Sequence, residues 1–223
     1  RKNFFNLLEF LFLGKTLKHF IKICGITSLG DAQVAHLAGA DAIGLMMYKN
    51  SSRYLDLLKA REIYDSINQQ VQVVLVFVDQ SEECVNECLD LMPNAIAQFH
   101  GSETPEYCRS FKKDFIKAIS IREEFNLEAA YEEFSGVKIL LLDSYNPVTF
   151  GGSGNKFNWD LIQNRHKLPF ILAGGLNADN VIEALDGINC TGVDISSSVE
   201  SSPGKKDPYK VQTFINKVRE FHD

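Results

Sequence analysis

The feature of this chain that most constrains its fold is a regular alternation of short apolar, β-branched runs with segments of helical apolar periodicity. From Phe20 onward, each run begins 20 to 31 residues after the previous one. The runs predict eight strands, over Ile21–Ile26, Ala42–Tyr48, Val71–Val78, Ala95–His100, Phe115–Ile121, Lys138–Ser144, Pro169–Gly175 and Gly192–Val199. Helices are predicted over Asp31–Ala38, Leu57–Ile67, Glu82–Leu91, Pro105–Lys112, Leu127–Phe134, Trp159–Arg165, Asn180–Leu185 and Pro208–Phe221.

Eight strand–helix units with no linker rich in Pro, Gly and Ser predict one α/β domain, a single (β/α)8 TIM barrel over residues 20–223. A doubly wound open sheet is the alternative architecture. Residues 1–19 form an N-terminal extension that contains the stretch FFNLLEFLFL. This stretch is too short and, with Glu9, too charged to span a membrane. We expect the extension to be helical and to pack on the barrel or on a neighbouring chain.

Composition limits the partners and the compartment of the protein. The formal net charge is −6 and no run of Lys or Arg exceeds two residues, so the chain lacks the basic surface that nucleic acid binding needs. The chain has five cysteines, an odd number, which favours reduced thiols and a cytoplasmic location over a disulfide framework. Cys84 and Cys88 share a helix face, but no second Cys/His pair lies near them, so no metal site is predicted.

A TIM barrel carries its chemistry at the C-terminal ends of its strands. Polar residues and glycines collect at those ends in this chain, at Cys24-Gly25, Ser51–Arg53, His100-Gly101, Asp143-Ser144, Gly174-Gly175 and Ser196–Ser198. Alternate residues of a barrel strand face inward, so Cys24 shares a face with Lys22, and Asp143 shares one with Ile139 and Leu141. Cys24 and Asp143 are therefore predicted to project into one barrel mouth.

Each candidate residue also has a structural alternative. A lone Cys such as Cys24 in an apolar strand is usually a small buried hydrophobe, and a lone His such as His100 is usually held by structural hydrogen bonds. Asp143 follows an apolar run and needs a partner or a site to offset its burial. The Gly and Ser residues that end the last two strands match the barrel phosphate site, namely Gly174, Gly175, Ser196, Ser197 and Ser198. The stretch Phe150–Gly154 fits either a lid or a plain flexible loop.

Nine motifs together resemble the phosphoribosylanthranilate isomerase family. In chain order they are KICGIT at Lys22–Thr27, GADAIGL at Gly39–Leu45, SSRYL at Ser51–Leu55, QFHG at Gln98–Gly101, PEYC at Pro105–Cys108, LLLDS at Leu140–Ser144, GGSGNKFNW at Gly151–Trp159, LAGGLNADNV at Leu172–Val181 and GVDISSSVESSPGKKD at Gly192–Asp207. LAGGL occurs in other sugar-phosphate barrels, whereas KICGIT combined with LLLDS and GGSGNKFNW is specific.

The resemblance implies an isomerase of tryptophan biosynthesis that acts on a phosphorylated small molecule without a cofactor. Its reaction is an Amadori rearrangement of N-(5'-phosphoribosyl)anthranilate, with Asp143 as the general acid and Cys24 as the general base. For both groups to work near neutrality, the pKa of the acid has to be raised and that of the thiol lowered. Arg53 is expected to bind the anthranilate carboxylate, with a surface salt bridge as its alternative role. His100 belongs to the expected substrate-binding residues, and the phosphate is expected at the five Gly and Ser residues named above.

The chain departs from the family pattern at Ser198, where a glycine is usual. A serine restricts positive φ and the close approach of the backbone to a phosphate, so we expect this substitution to alter the shape of the phosphate loop or its affinity. Rival functions are the histidine-pathway isomerase and ribulose-phosphate epimerase, which use two aspartates or a metal, so Cys24 argues against them. A silent sugar-phosphate-binding module lacks Cys24 or Asp143, and both are present. The family includes monomers and homodimers, and both states stay open for this chain.

Overall fold

The computed structural model describes residues 18–121, 125–144 and 168–221. Eight parallel strands form a closed barrel in chain order, and β8 returns to pair with β1. The strands are β1 Phe20–Cys24, β2 Ala42–Met46, β3 Gln72–Phe77, β4 Ile96–Phe99, β5 Phe115–Ile121, β6 Ile139–Ser144, β7 Phe170–Leu172 and β8 Gly192–Ile195. Closure leaves no open edge in the sheet, so the (β/α)8 prediction is confirmed and the open doubly wound sheet is wrong.

Seven α-helices follow the strands within the described residues. They are α1 Leu29–Ala38, α2 Leu57–Ile67, α3 Glu82–Leu91, α4 Pro105–Ser110, α5 Leu127–Glu133, α6 Val181–Gly187 and α7 Pro208–Glu220. Serines cap two of these helices, since Ser28 accepts a hydrogen bond from Asp31 N and Ser81 accepts one from Cys84 N. No helix in the described part of the chain is long and apolar enough to cross a membrane. The predicted helix Trp159–Arg165, the stretch Phe150–Gly154 and residues 1–17 lie outside the described residues.

The last two barrel strands end earlier than predicted, and this shortening creates the loops of the barrel mouth. β7 ends at Leu172 because Gly174 and Gly175 have φ of +83° and +67°, a backbone that a strand cannot continue. β8 ends at Ile195, and Ser197–Val199 forms a 3₁₀ turn instead of strand. An unpredicted hairpin follows, with β9 at Glu200–Ser202 paired antiparallel to β10 at Lys205–Lys206.

Alternate strand residues fill the barrel interior as predicted. Cys24, Ile139 and Leu141 belong to one buried cluster inside the barrel, while the opposite faces of the strands pack against the helices. Polar side chains also lie on the inward faces of the strands, and one of them, Lys22, has no solvent exposure. A charged group in an apolar core needs an oppositely charged or hydrogen-bonding partner, and Lys22 has one at the C-terminal mouth of the barrel.

Candidate active site

A cavity of about 510 Å³ lies at the C-terminal ends of the barrel strands. All nine predicted site residues line it, namely Cys24, Arg53, His100, Asp143, Gly174, Gly175, Ser196, Ser197 and Ser198. Met46, Tyr48 and Asp194 also line the cavity and were not predicted. The fold therefore brings residues from six strands and their loops to one concave surface.

Cys24 ends β1 and its thiol is buried at the floor of this cavity. The neighbouring strand makes room for it, because a Cβ at Gly44 would lie only 2.6 Å from Cys24 Sγ. Burial raises the pKa of the Cys24 thiol, the charges of Lys22 and Lys206 oppose that rise, and Asp194 adds to it. The net direction is upward, so the predicted lowering of the thiol pKa is not found. Loss of hydration outweighs the two nearby cations.

Lys22 and Asp194 form an ion pair inside the barrel that sequence reasoning missed. Lys22 Nζ lies 2.9 Å from Asp194 Oδ2, and both side chains are buried. Burial raises the pKa of Asp194 even though Lys22 pulls it down. Asp194 Oδ1 has no hydrogen-bond partner among the described residues, although a buried acceptor without a partner costs roughly 1–3 kcal/mol. Because Asp194 lines the cavity, a ligand donor can satisfy this oxygen. The sequence did contain a signal for this pair, because Lys22 and Asp194 are charged residues within the apolar strands β1 and β8.

Asp143 is held by a chain of hydrogen bonds that begins in β4. His100 Nε2 lies 3.1 Å from Asp143 Oδ2, and Gln98 Nε2 lies 2.9 Å from His100 Nδ1. With the Gln98 amide as donor, Nδ1 accepts, so the ring proton lies on Nε2 and points to Asp143. Gln98 is fully buried, which orients the imidazole from behind. His100 thus contacts the predicted acid directly.

Arg53 reaches the cavity across the loop that follows β1. A Cβ at Gly25, which has φ of +74°, would lie 2.4 Å from Arg53 Cδ, so only glycine fits at this crossing. Arg53 Nε and Nη2 donate to the two carboxylate oxygens of Glu200 at 2.7 and 2.8 Å. These hydrogen bonds raise the pKa of Arg53 against the effect of burial. The salt-bridge alternative is therefore present, but it is largely buried, and Arg53 still lines the cavity.

The loops after β7 and β8 meet at the predicted phosphate region. Gly174 and Gly175 both have positive φ, and Asn180 Nδ2 holds the turn by donating to Gly175 O at 2.9 Å. Ser198 Oγ donates to Leu176 O and so links the two loops. In the described chain, the non-glycine residues with positive φ are Asp79 and Lys112, so Ser198 needs no left-handed backbone. Ser198 therefore replaces the glycine that is usual in the family without the backbone strain of a positive φ.

This closed barrel, with a thiol, a carboxylate and two glycine- and serine-lined loops at one mouth, defines the class of sugar-phosphate-binding (β/α)8 enzymes. Residues 21–217 match the family model described as N-(5'-phosphoribosyl)anthranilate (PRA) isomerase. The chain belongs to this family.

Individual relatives agree with the family match. The N-(5'-phosphoribosyl)anthranilate isomerase of Neisseria meningitidis is 42% identical over 194 residues, which cover 87% of this chain and 93% of that protein. The crystal structure of phosphoribosyl anthranilate isomerase from Thermotoga maritima superposes with a TM-score of 0.81 at 36% identity, covering 91% and 99% of the two chains. A structure of the isomerase in complex with reduced 1-(o-carboxyphenylamino)-1-deoxyribulose 5-phosphate gives 0.77 at 35% identity, with the same coverage.

Proposed function

We propose that Cys24 and Asp143 are the general base and general acid with which this chain carries out its isomerisation. The chain is an aldose–ketose isomerase of tryptophan biosynthesis, which converts N-(5'-phosphoribosyl)anthranilate to 1-(2-carboxyphenylamino)-1-deoxyribulose 5-phosphate. The observation that carries the proposal is that both side chains line one cavity together with Arg53 and the glycine loops.

The reaction needs two proton transfers. Asp143 delivers a proton to the ribose ring oxygen, the C1–O bond breaks, and the ring opens to an iminium ion. The Cys24 thiolate then removes the proton from C2, and the resulting enolamine tautomerises to the ketone. His100, 3.1 Å from Asp143, orients the acid by donating a hydrogen bond from Nε2 to Asp143 Oδ2. Protons are only relocated, so no external oxidant or reductant takes part.

The remaining cavity residues bind the substrate. Arg53 pairs with the anthranilate carboxylate, since its guanidinium matches the planar fork of that group. The backbone of Gly174, Gly175 and the turn at Ser196–Ser198 binds the phosphate. Asp194 Oδ1, the buried acceptor without a partner, accepts a hydrogen bond from a sugar hydroxyl. Each polar group of the substrate then has a complementary group in the cavity.

The pH profile tests the role of Cys24. Burial raises the thiol pKa, so near pH 7 the thiol is mainly protonated and its reactive thiolate grows about tenfold per pH unit. We expect kcat/KM to rise with pH above neutrality until the thiol has ionised. In Cys24→Asp, whose carboxylate has a reference pKa of about 4, that rise should disappear even if the variant is slow. The same rise in both proteins would assign it to another group.

We propose that residues 1–19 form an extension outside the catalytic domain. We also propose that the catalytic domain functions in the cytoplasm as a monomer or homodimer. The five cysteines are all free, which supports a reducing compartment. The described end of the extension is tied to the barrel, because Arg219 Nη1 donates to His19 O at 2.7 Å and His19 packs edge-on against Phe221.

Deletion of residues 1–17, which preserves these His19 contacts, should leave kcat/KM within about twofold. The eight large apolar side chains between Phe4 and Leu13 should contribute to stability or association. We therefore expect a lower melting temperature or a changed mass in sedimentation equilibrium. Loss of activity in a fully folded truncation would place the extension in the active site instead.

A further inference from the structure

Glu200, the first residue of β9, connects Arg53 to a lysine outside the substrate groups assigned above. Its carboxylate accepts both hydrogen bonds from Arg53 and a third from Lys206 Nζ at 2.8 Å. The Glu200 side chain is only 4% exposed and does not line the cavity. Lys206 Nζ also donates to Ser196 O at 3.1 Å, so the same cluster reaches the predicted phosphate loop.

The hairpin that carries Glu200 is anchored at several points. Thr27 Oγ1 donates to Gly204 O, and Lys206 N donates to Asp31 Oδ2 at 3.3 Å. Lys210 Nζ donates to the backbone carbonyl of Glu200 at 2.8 Å. The β9–β10 hairpin is thus held against the loop after β1 and against α7. Glu200 is a rigid support rather than a surface carboxylate that happens to meet an arginine.

The charges of this cluster favour an anionic ligand. Burial alone would raise the pKa of Glu200, but the hydrogen bonds and charges of Arg53 and Lys206 lower it below its ordinary value. Glu200 is therefore ionised, and it holds the charged guanidinium of Arg53 beside the cavity. Glu200 occupies two of the five N–H donors of Arg53, on the Nε–Nη2 side, so three donors at the tip remain for a ligand.

We propose that Glu200 is a positioning residue that holds the guanidinium of Arg53 in the geometry needed for the carboxylate of the substrate. This proposal rests on the proposed role of Arg53. A free arginine loses rotamer freedom when it binds, whereas Arg53 is already immobilised by Glu200. Glu200 thereby favours substrates whose aromatic ring carries a carboxylate.

The test compares three probes on Glu200→Gln, measured by calorimetry. The probes are reduced 1-(o-carboxyphenylamino)-1-deoxyribulose 5-phosphate, the same compound without its carboxyl group, and ribose 5-phosphate. We expect Kd for the carboxylated probe to rise about tenfold and Kd for the other two to stay within twofold. Steady-state kinetics should show a similar rise in KM with kcat within about threefold. Equal weakening of all three probes would overturn the proposal.

Two further variants separate positioning from charge and from folding. Glu200→Asp keeps the charge but shortens the side chain, so a positioning role predicts weakening of the carboxylated probe and a purely electrostatic role predicts none. If Glu200→Gln does not fold, the result for Glu200→Asp tests the positioning role. The matched control is Asp41→Asn, at the residue that precedes β2. This substitution removes a partly buried ion pair with Arg219 (2.7 Å) and should leave the affinities for all three probes unchanged.

A double-mutant cycle shows whether Glu200 acts through Arg53. In an Arg53→Ala background, Glu200→Gln should change Kd for the carboxylated probe by less than twofold. A persistent tenfold effect would overturn the positioning role while leaving the proposed function of Arg53 intact. If Arg53→Ala alone does not weaken the carboxylated probe, the assignment of Arg53 fails first, so the two failures are distinguishable.

Discussion

Asp143→Asn and Cys24→Ser are each expected to lower kcat by at least a hundredfold while KM stays within several-fold. Proton transfer by a positioned side chain contributes roughly 10²–10⁴ to the rate, and both substitutions remove that transfer while nearly preserving the shape of the side chain. The hydrogen bond between His100 and residue 143 can persist with asparagine, so substrate binding should be largely retained. The measurement is a steady-state progress curve for each variant.

Matched substitutions outside the cavity provide the controls. Cys190 is also a buried, free thiol, and burial raises its pKa to about 12, so Cys190→Ser should keep wild-type kcat. Asp186→Asn removes an exposed carboxylate at the end of α6 and should be equally silent. Near wild-type kcat in Cys24→Ser or Asp143→Asn would exclude that residue from its proposed role.

Arg53→Ala should raise KM at least tenfold and weaken the carboxylated product, because the carboxylate loses its charge-assisted partner. The affinity for ribose 5-phosphate should remain within about twofold, since that compound carries no carboxylate. Truncation also leaves Glu200 with Lys206 as its remaining ion-pair partner, so some loss of stability is expected and should be measured by thermal melting.

The control for Arg53 is Arg61, which pairs with Asp65 on the exposed face of α2 at 2.6 Å. Arg61→Ala should change neither KM nor the melting temperature appreciably, because exposed pairs of this kind contribute little. If Arg53→Ala weakened ribose 5-phosphate as much as the carboxylated product, the carboxylate assignment would be wrong.

The barrel and the positions of Cys24 and Asp143 could be predicted because both depend on local pattern. Strand and helix periodicities are short-range, and in a parallel barrel the end of each strand lies at the mouth. The predicted ends of β7 and β8 were too late in the sequence, because Gly174 has a positive φ and Ser197 begins a 3₁₀ turn. The pattern of apolar residues does not show where the backbone changes from strand to turn.

The ion pairs of the site could not be predicted, because they join residues far apart in the chain. Lys22 and Asp194 are separated by 172 positions, and Arg53 and Glu200 by 147. Arg53 and Glu200 each fit a solvated surface position, and the strand positions of Lys22 and Asp194 do not show which residue is the partner of each. The direction of the Cys24 pKa was missed for a related reason, since burial of the thiol depends on Gly44 and on groups from other strands.

The Lys22–Asp194 pair also restricts how this barrel is able to change during evolution. Loss of either partner alone leaves a buried charge without compensation, which typically costs 3–5 kcal/mol, whereas joint replacement by apolar residues of similar volume is often neutral for folding. Stability would therefore permit the pair to disappear in two coupled steps. Such a descendant would keep its barrel but lose Asp194 Oδ1, the buried acceptor at the cavity. Among descendants of this chain, simultaneous loss of both charges should mark a change of substrate, and loss of one charge should be rare.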